Sequence, residues 1–288
     1  MRKLYLILIL IIWLSCDKIE PPYVQNNNIA PKKTILVEKF TGHKCSNCPE
    51  ASRKIDELKN FYGDAIIPIS IHPGNLPEFT DTDNNYPYNF KTGYGDTIAN
   101  DMGATFLPLG TINRIPGGIS NRCWTKDEWS SQINNLLFDE NGLPIDKKIN
   151  IELTTFLNEK NKELTVETNI ILLDELIGNY NLCLLVIEDS IIAPQIDGSE
   201  YISNYEHNHI YRCAINNVYG QSINEFMFID LEGQAGYQSI NTVIFNEINN
   251  INWTEEWNNL ENCHVIAYIY NTESLIIEES IIKHITYE

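Results

Sequence analysis

Apolar and polar positions follow two different rhythms along this chain, and the change falls between Ile133 and Ile149. In the first half, short apolar runs alternate with stretches whose apolar residues recur every three or four positions. Ile35, Leu36, Val37 and Phe40 read as a buried strand. Ala51, Ile55, Leu58 and Tyr62 form one face of a helix predicted from about Cys45 to Tyr62 and ended by Gly63. Ala65 to Ile71 is the next strand, and Pro68 within it points to an edge or a bulge. Residues 73–95 carry prolines, glycines and tyrosines and read as a long loop. A short helix is predicted over Asp96 to Met102, then a strand over Leu107 to Asn113. Pro116-Gly117-Gly118 makes a hairpin turn, and Ile119 to Cys123 returns from it. Thr125 and Glu128 form a capping box that opens a helix with Trp129, Ile133, Leu136 and Leu137 on one face. Alternating elements of this kind predict a layered α/β domain.

After Ile149 the period shortens to two. Ile149, Ile151, Leu153 and Thr155 alternate with polar residues, Asn158 to Lys162 is a turn, and Leu164 to Leu173 pairs back. Further strands are predicted at Leu182–Ile187, His209–Ile215, Glu225–Ile229, Thr242–Phe245, His264–Tyr270 and Ser280–Ile285. Helical signal is nearly absent here, apart from a turn at Thr254 to Trp257. Short strands with turn signals between them predict a sandwich.

The first residues match neither rhythm. Met1-Arg2-Lys3 is basic, Leu4 to Leu14 is almost wholly apolar, and Ser15-Cys16 precedes the polar Asp17-Lys18. The run is too short to span a membrane and has the layout of a signal peptide. It resembles a bacterial lipoprotein signal, which implies that Cys16 is lipidated and becomes the new N-terminus. An ordinary signal peptide or an uncleaved anchor is the alternative. Residues 16–33, with Pro21-Pro22, Asn26-Asn27-Asn28 and Pro31, have tether composition. The predicted organisation is therefore a signal peptide at 1–15, a tether at 16–33, an α/β domain at 34–140 and a β domain at 149–288.

Composition narrows the partners. The 288 residues are 43% hydrophobic, enough for real cores, and carry a net charge of −19. Nucleic acid is excluded by like-charge repulsion. An anionic membrane surface would repel the body as well, so acyl chains on Cys16 would have to do the anchoring. Export would place the cysteines in oxidising surroundings.

Candidate chemistry centres on Cys45-Ser46-Asn47-Cys48. At a helix start the two cysteines lie one turn apart, where unpaired N–H groups and the positive helix end stabilise a thiolate. His43 and Lys44 add protonatable charge. Metal and a purely structural disulfide are the competing readings. A structural zinc site needs four ligands, and Cys123, Cys183, Cys213 and Cys263 each stand alone. Cys183, Cys213 and Cys263 fall in predicted strands and read as small buried hydrophobes, with one disulfide among them left open. His207 and His209 would share a strand face; hydrogen-bonding roles are expected over a metal pair. Tyr86, Tyr88 and Tyr94, with Asp81 and Asp83, either line a peptide groove or form a plain surface loop.

A strand, a CxxC at the following helix start and a later X-Pro opening a strand resemble thioredoxin. The resemblance implies a cis Leu107–Pro108 bond beside the dithiol, with the Leu107 backbone free to hydrogen-bond an incoming chain. It also makes Glu38 a candidate buried carboxylate that accepts the proton of Cys48, the alternative being a solvated strand residue. Lys44 replaces the family's tryptophan, and Ser46-Asn47 its Gly-Pro. Over nearly the whole chain, "VEKFTGHKCSNCPEA", "LPLGTINR", "EHNHIYRCAINNVYG" and "YNTESLIIEESIIKHI" resemble the outer-membrane-protein-28 related lipoproteins of Bacteroidetes. The expectation is then an α/β thioredoxin-like domain followed by an all-β immunoglobulin-like sandwich. The protein would be anchored at the outer membrane, on its periplasmic face or the cell surface, without a cofactor or metal. Its partners would be envelope proteins or peptides bearing thiols or disulfides, with Cys45 attacking and Cys48 resolving. The competing reading is a non-catalytic binding or structural lipoprotein whose CxxC is a stable disulfide.

Overall fold

The computed structural model describes residues 30–158, 160–224, 228–229, 235–244 and 260–286. The signal segment, Cys16 and the turn at Thr254 to Trp257 lie outside the described residues. In the first half, strand β1 (Ile35–Phe40) leads to helix α1 (Cys48–Tyr62), strand β2 (Ile66–Ile71), the short helix α2 (Pro77–Thr80) and helix α3 (Gly93–Met102). Strand β3 (Leu109–Ile112) and helix α4 (Lys126–Leu137) complete it. Strands follow: β4 (Ile149–Asn158), β5 (Glu163–Leu172), β6 (Tyr180–Glu188), β7 (Ile191–Asp197), β8 (Glu200–His207) and β9 (Ile210–Ala214). The last are β10 (Gln221–Ser222), β11 (Phe228–Ile229), β12 (Ala235–Ile244), β13 (Cys263–Asn271) and β14 (Ile277–His284).

The expected division into a thioredoxin-like α/β domain and an immunoglobulin-like sandwich is overturned. The molecule is mostly β, and one mixed sheet runs β14-β13-β6-β9-β2-β1-β3, with β10 added on β6. Strands from both halves lie side by side in it, because β2 meets β9 in parallel at Ser70 and Ile210. A second sheet, β11-β12-β5-β4, is antiparallel, and β7 pairs only with β8. Which strands pair was the part that period and turn signals left open.

Alternation explains the layers. In β1, Ile35 and Val37 face α1 and α4, joining Ala51, Ile55, Leu58, Trp129 and Ile133. Leu36 and Phe40 face the other way, with Ile67, Ile69 and Ile71 of β2. That second core continues without a break into Leu185 and Ile187 of β6 and Ile266, Tyr268 and Tyr270 of β13, and α3 contributes Ile98, Ala99 and Met102. On the opposite face of β6 and β13, Leu184, Val186, Val265 and Ala267 pack on Ile151, Leu164 and Val166 of the second sheet. Strands buried on both faces carry near-continuous apolar runs, as parallel and central strands do.

Polar bonds also cross the midpoint of the chain. Thr34 Oγ1 donates to Glu279 Oε1 (2.5 Å), and Ile277 N donates to Asn113 O (3.0 Å). Arg114 and Glu38, both buried, pair at 2.5 Å. Arg114 Nη2 also donates to the hydroxyl of Tyr268 on β13 (3.0 Å). Pro68 is tolerated because β9 pairs with β2 only further along, at Ser70, so no partner strand requires an N–H there.

Candidate functional site

The turn after β1 builds the site. Thr41 N donates to Ile71 O, Cys45 N to Gly42 O and Cys48 N to Cys45 O, so the chain makes two tight turns before α1 starts at Cys48 rather than Cys45. Pro49 in the first turn of the helix needs no N–H partner. Cys45 and Cys48 form a disulfide, with 5.4 Å between their Cα atoms. The peptide bond Leu107–Pro108 is cis. Phe40 pairs with Leu109, which sets Pro108 beside the turn that follows β1, and Leu107 shares an apolar cluster with both cysteines.

The sulfurs are closed in. Cys45 is 2% exposed and Cys48 1%. On one side the 77–92 segment folds over them. Lys44 N donates to Phe79 O, Lys44 Nζ pairs with Asp83 (2.7 Å) and Lys91 with Asp81 (2.5 Å). Tyr86 stacks on His43 with ring centroids 5.2 Å apart. Tyr86 therefore covers His43 beside the motif, Tyr88 packs on Phe90 (4.4 Å), and Tyr94 is exposed at 44%. On the other side the β7–β8 hairpin docks by its tip. Ile196 N donates to His43 O (3.0 Å) and Gly198 N to Ser46 O (2.8 Å). The buried Gln195 amide donates to Gly42 O (3.3 Å) and Cys45 O (3.2 Å). The sequence pattern missed this hairpin, although Gly198-Ser199, the two residues between the paired Asp197 and Glu200, is a recognisable hairpin-turn signal.

Three histidines lie beneath the cover. His43, His72 and His207 are all buried around Phe90, which stacks on His72 at 4.5 Å and lies 4.6 Å from His207. Burial, then His207 and His43, push His72 well below its ordinary value, and both its ring nitrogens lack hydrogen bonds. Burial lowers His207 to about 3, and His43 is lowered as well, although Asp81 O contacts its ring nitrogen at 3.1 Å. His207 and His209 do not share a face. His209 has φ of 62° and turns outward to Asp189 (2.9 Å). Among the described residues no group of three His, Cys, Asp or Glu side chains is arranged to hold a metal ion.

The structure places Glu38 in the Arg114 pair, with a further bond from Thr111 Oγ1 (2.7 Å). Burial works against the Arg114 charge, but Glu38 beside it holds the guanidinium well above its usual range. The next residue, Lys39, points the other way. Its ammonium is buried against Ser52 Oγ at 2.6 Å, and burial lowers it to about 8 while Asp56 opposes the shift. Ser52 Oγ in turn donates to Cys48 O (3.4 Å). Among the described residues the four other cysteines are free and buried; burial raises Cys123, Cys183 and Cys213 to about 12 and Cys263 further. They are inert packing groups.

The family model for outer membrane protein Omp28 matches residues 95–283, in line with the resemblance drawn from the sequence. No curated protein matches. Among solved structures, HBP35 of Porphyromonas gingivalis superposes with a TM-score of 0.61 at 12% identity, covering 89% of this chain and 76% of that one. A domain of the outer membrane lipoprotein Omp28 from Porphyromonas gingivalis gives 0.34 at 15% identity, over 49% of this chain and 91% of that one. An Agrobacterium tumefaciens protein gives 0.48 at 12% identity, over 88% and 94%.

Proposed function

Because the chain belongs to the Omp28 family of outer membrane proteins, we propose that it is a lipoprotein anchored through Cys16, with its Cys45–Cys48 disulfide serving in the resting state as a staple beneath a docked hairpin. The observation that carries this reading is burial: the sulfurs are 2% and 1% exposed. A thiolate must reach a sulfur directly for exchange to start. The staple fixes the turn whose carbonyls receive the hairpin, so it organises the surface on that side of the molecule. No helix among the described residues is long and apolar enough to cross a membrane. In this reading the acyl chains on Cys16 do the anchoring, on the periplasmic face or at the cell surface.

Thiol–disulfide exchange with envelope proteins is the second reading, and the placement of Cys45 just ahead of the α1 N-terminus favours it. In that reaction a thiol reductant in the envelope first reduces the Cys45–Cys48 disulfide; the Cys45 thiolate then attacks a partner disulfide, and one partner thiolate leaves. Cys48 then attacks the Cys45 sulfur, closing the internal disulfide and releasing the reduced partner. Leu107 and Pro108 would flank the mixed disulfide. The experiment is a Cys48→Ser variant expressed in the native envelope, with measurement of the reduction potential of the intact pair. A potential below about −300 mV without trapped partners supports the staple; trapped mixed disulfides overturn it. Cys16→Ala should move the protein from the membrane to the soluble fraction, and continued membrane association would refute the anchor.

A further inference from the structure

The Lys39 ammonium is buried without a counter-charge. The residue is 6% exposed, and its side chain leaves β1 on the face that carries α1. Its one hydrogen-bond partner among the described residues is Ser52 Oγ at 2.6 Å. Among the described residues no carboxylate pairs with it, and Asp56 acts on it only from a distance. An ammonium has three N–H donors, so two of them meet no protein acceptor. A buried cation in this position is relieved by losing its proton. The amine that remains is a nucleophile.

Lys39 also lines a cavity of about 60 Å³ that opens to solvent between α1, the end of β2 and β8. Ser52, Ser70 and Tyr205 line it with hydroxyls, and the exposed Asp56 and Glu206 line its outer part. A single water needs at least about 10–15 Å³ of such space, so the cavity takes a molecule of a few non-hydrogen atoms. Charge narrows the choice further. Carbon dioxide would turn the amine into a carbamate, an anion set beside Asp56 and Glu206. The same two acids repel anionic carbonyl compounds. An uncharged aldehyde meets neither obstacle.

We infer that Lys39 is a reactive amine that binds small uncharged aldehydes covalently and reversibly in this cavity. The Lys39 nitrogen forms a bond to the carbonyl carbon, and its proton passes to the carbonyl oxygen to give a carbinolamine. Loss of that oxygen as water leaves a C=N bond, and hydrolysis reverses both steps. Nothing is oxidised or reduced, and water is the one other species involved. The Ser52 hydroxyl holds the nitrogen at the cavity wall. This chemistry does not depend on the Cys45–Cys48 disulfide.

The test treats the folded full chain with acetaldehyde and sodium cyanoborohydride, which reduces the C=N bond as it forms. Ethylation of each lysine is then followed by peptide mass spectrometry. With Lys39 held near 8, about one in ten carries the free amine at pH 7, against roughly one in 3,000 for an amine at 10.5. Enclosure and lower basicity take back part of that gain, so Lys39 should react about tenfold faster than the exposed Lys160 in the same sample. The Lys39 rate should level off above pH 8 while that of Lys160 keeps rising. The titratable groups around Lys39 are Asp56 on α1, His72 after β2, Tyr205, Glu206 and His207 on β8, and His209 before β9. His72 and His207 are held below their ordinary value and Tyr205 above its own, so none of these three changes charge between pH 7 and 9. Glyoxylate, an anionic aldehyde of similar size, should lose the preference for Lys39, and denaturing urea should abolish it for acetaldehyde. Ethylation of Lys39 no faster than that of Lys160, or a preference that survives urea, would overturn the site. Equal selectivity with glyoxylate would overturn the restriction to uncharged aldehydes.

Discussion

Replacing Arg114 with Met tests whether the two halves of the chain form one folding unit. The Arg114 side chain makes two bonds to Glu38, at 2.9 and 2.5 Å, and one to the Tyr268 hydroxyl at 3.0 Å. Its guanidinium also lies over the Tyr268 ring at 5.1 Å. Arg114→Met fills most of the volume but leaves Glu38 at 1% exposure with Thr111 as its remaining donor. Removing one member of a buried ion pair costs about 3–5 kcal/mol, because the other charge is stranded. That is a large share of the ~5–15 kcal/mol by which a folded chain is stable. The pair joins β1 to β13, so the loss should be shared by both halves. In urea, amide exchange of Ile133 reports the α4 side, and that of Val186 and Ile266 reports the β6–β13 side. Both probes should shift by the same amount and in one transition. Glu38→Gln combined with Arg114→Met should recover part of the loss, since no stranded charge remains. A cost below about 1 kcal/mol, the range of an exposed pair, would refute the energetic argument. Separate transitions for the two probes would refute the single-sheet account.

The buried histidines make stability depend on pH. His72 and His207 are held below their ordinary value of 6.5, His207 at about 3, so the unfolded chain binds their protons first. Their neutral forms are accommodated fully above pH 6.5, and stability falls as pH drops from there toward 3. His207 should contribute a slope of about 1.4 kcal/mol per pH unit in that window, and His72 acts in the same direction. Lys39, Lys44, Lys91 and Arg212 add positive charge around the cluster, against Asp81 and Asp83. His207→Phe should remove the His207 slope, and unchanged acid lability would contradict the assignment. At Gly110 an added Cβ would come 2.7 Å from Cζ2 of the fully buried Trp129. Gly110→Ala should therefore lower the urea midpoint by an overpacking cost of about 1–3 kcal/mol, and a neutral result would mean that Trp129 moves freely.

The chain's local pattern determined most of its elements. The spacing of Ala51, Ile55 and Leu58 defined α1, and Thr125 with Glu128 defined the start of α4. The alternation from Ile149 onward defined β4 and β5. These are short-range effects, set by side-chain period and caps within a few residues. The family resemblance was carried by motifs that survive in linear order, and the Omp28 match agrees with it. Tertiary structure alone decided that β2 lies beside β9, which turned two expected domains into one sheet. It also paired Glu38 with Arg114, gathered His43, His72 and His207 around Phe90, and set the hairpin tip against the turn that carries the disulfide. Ser70 and Ile210 are 140 residues apart, and Gln195 and Cys45 150. Periodicity records which face a residue shows, but not which distant face it meets. That choice is made only when all buried surfaces and backbone groups are satisfied together.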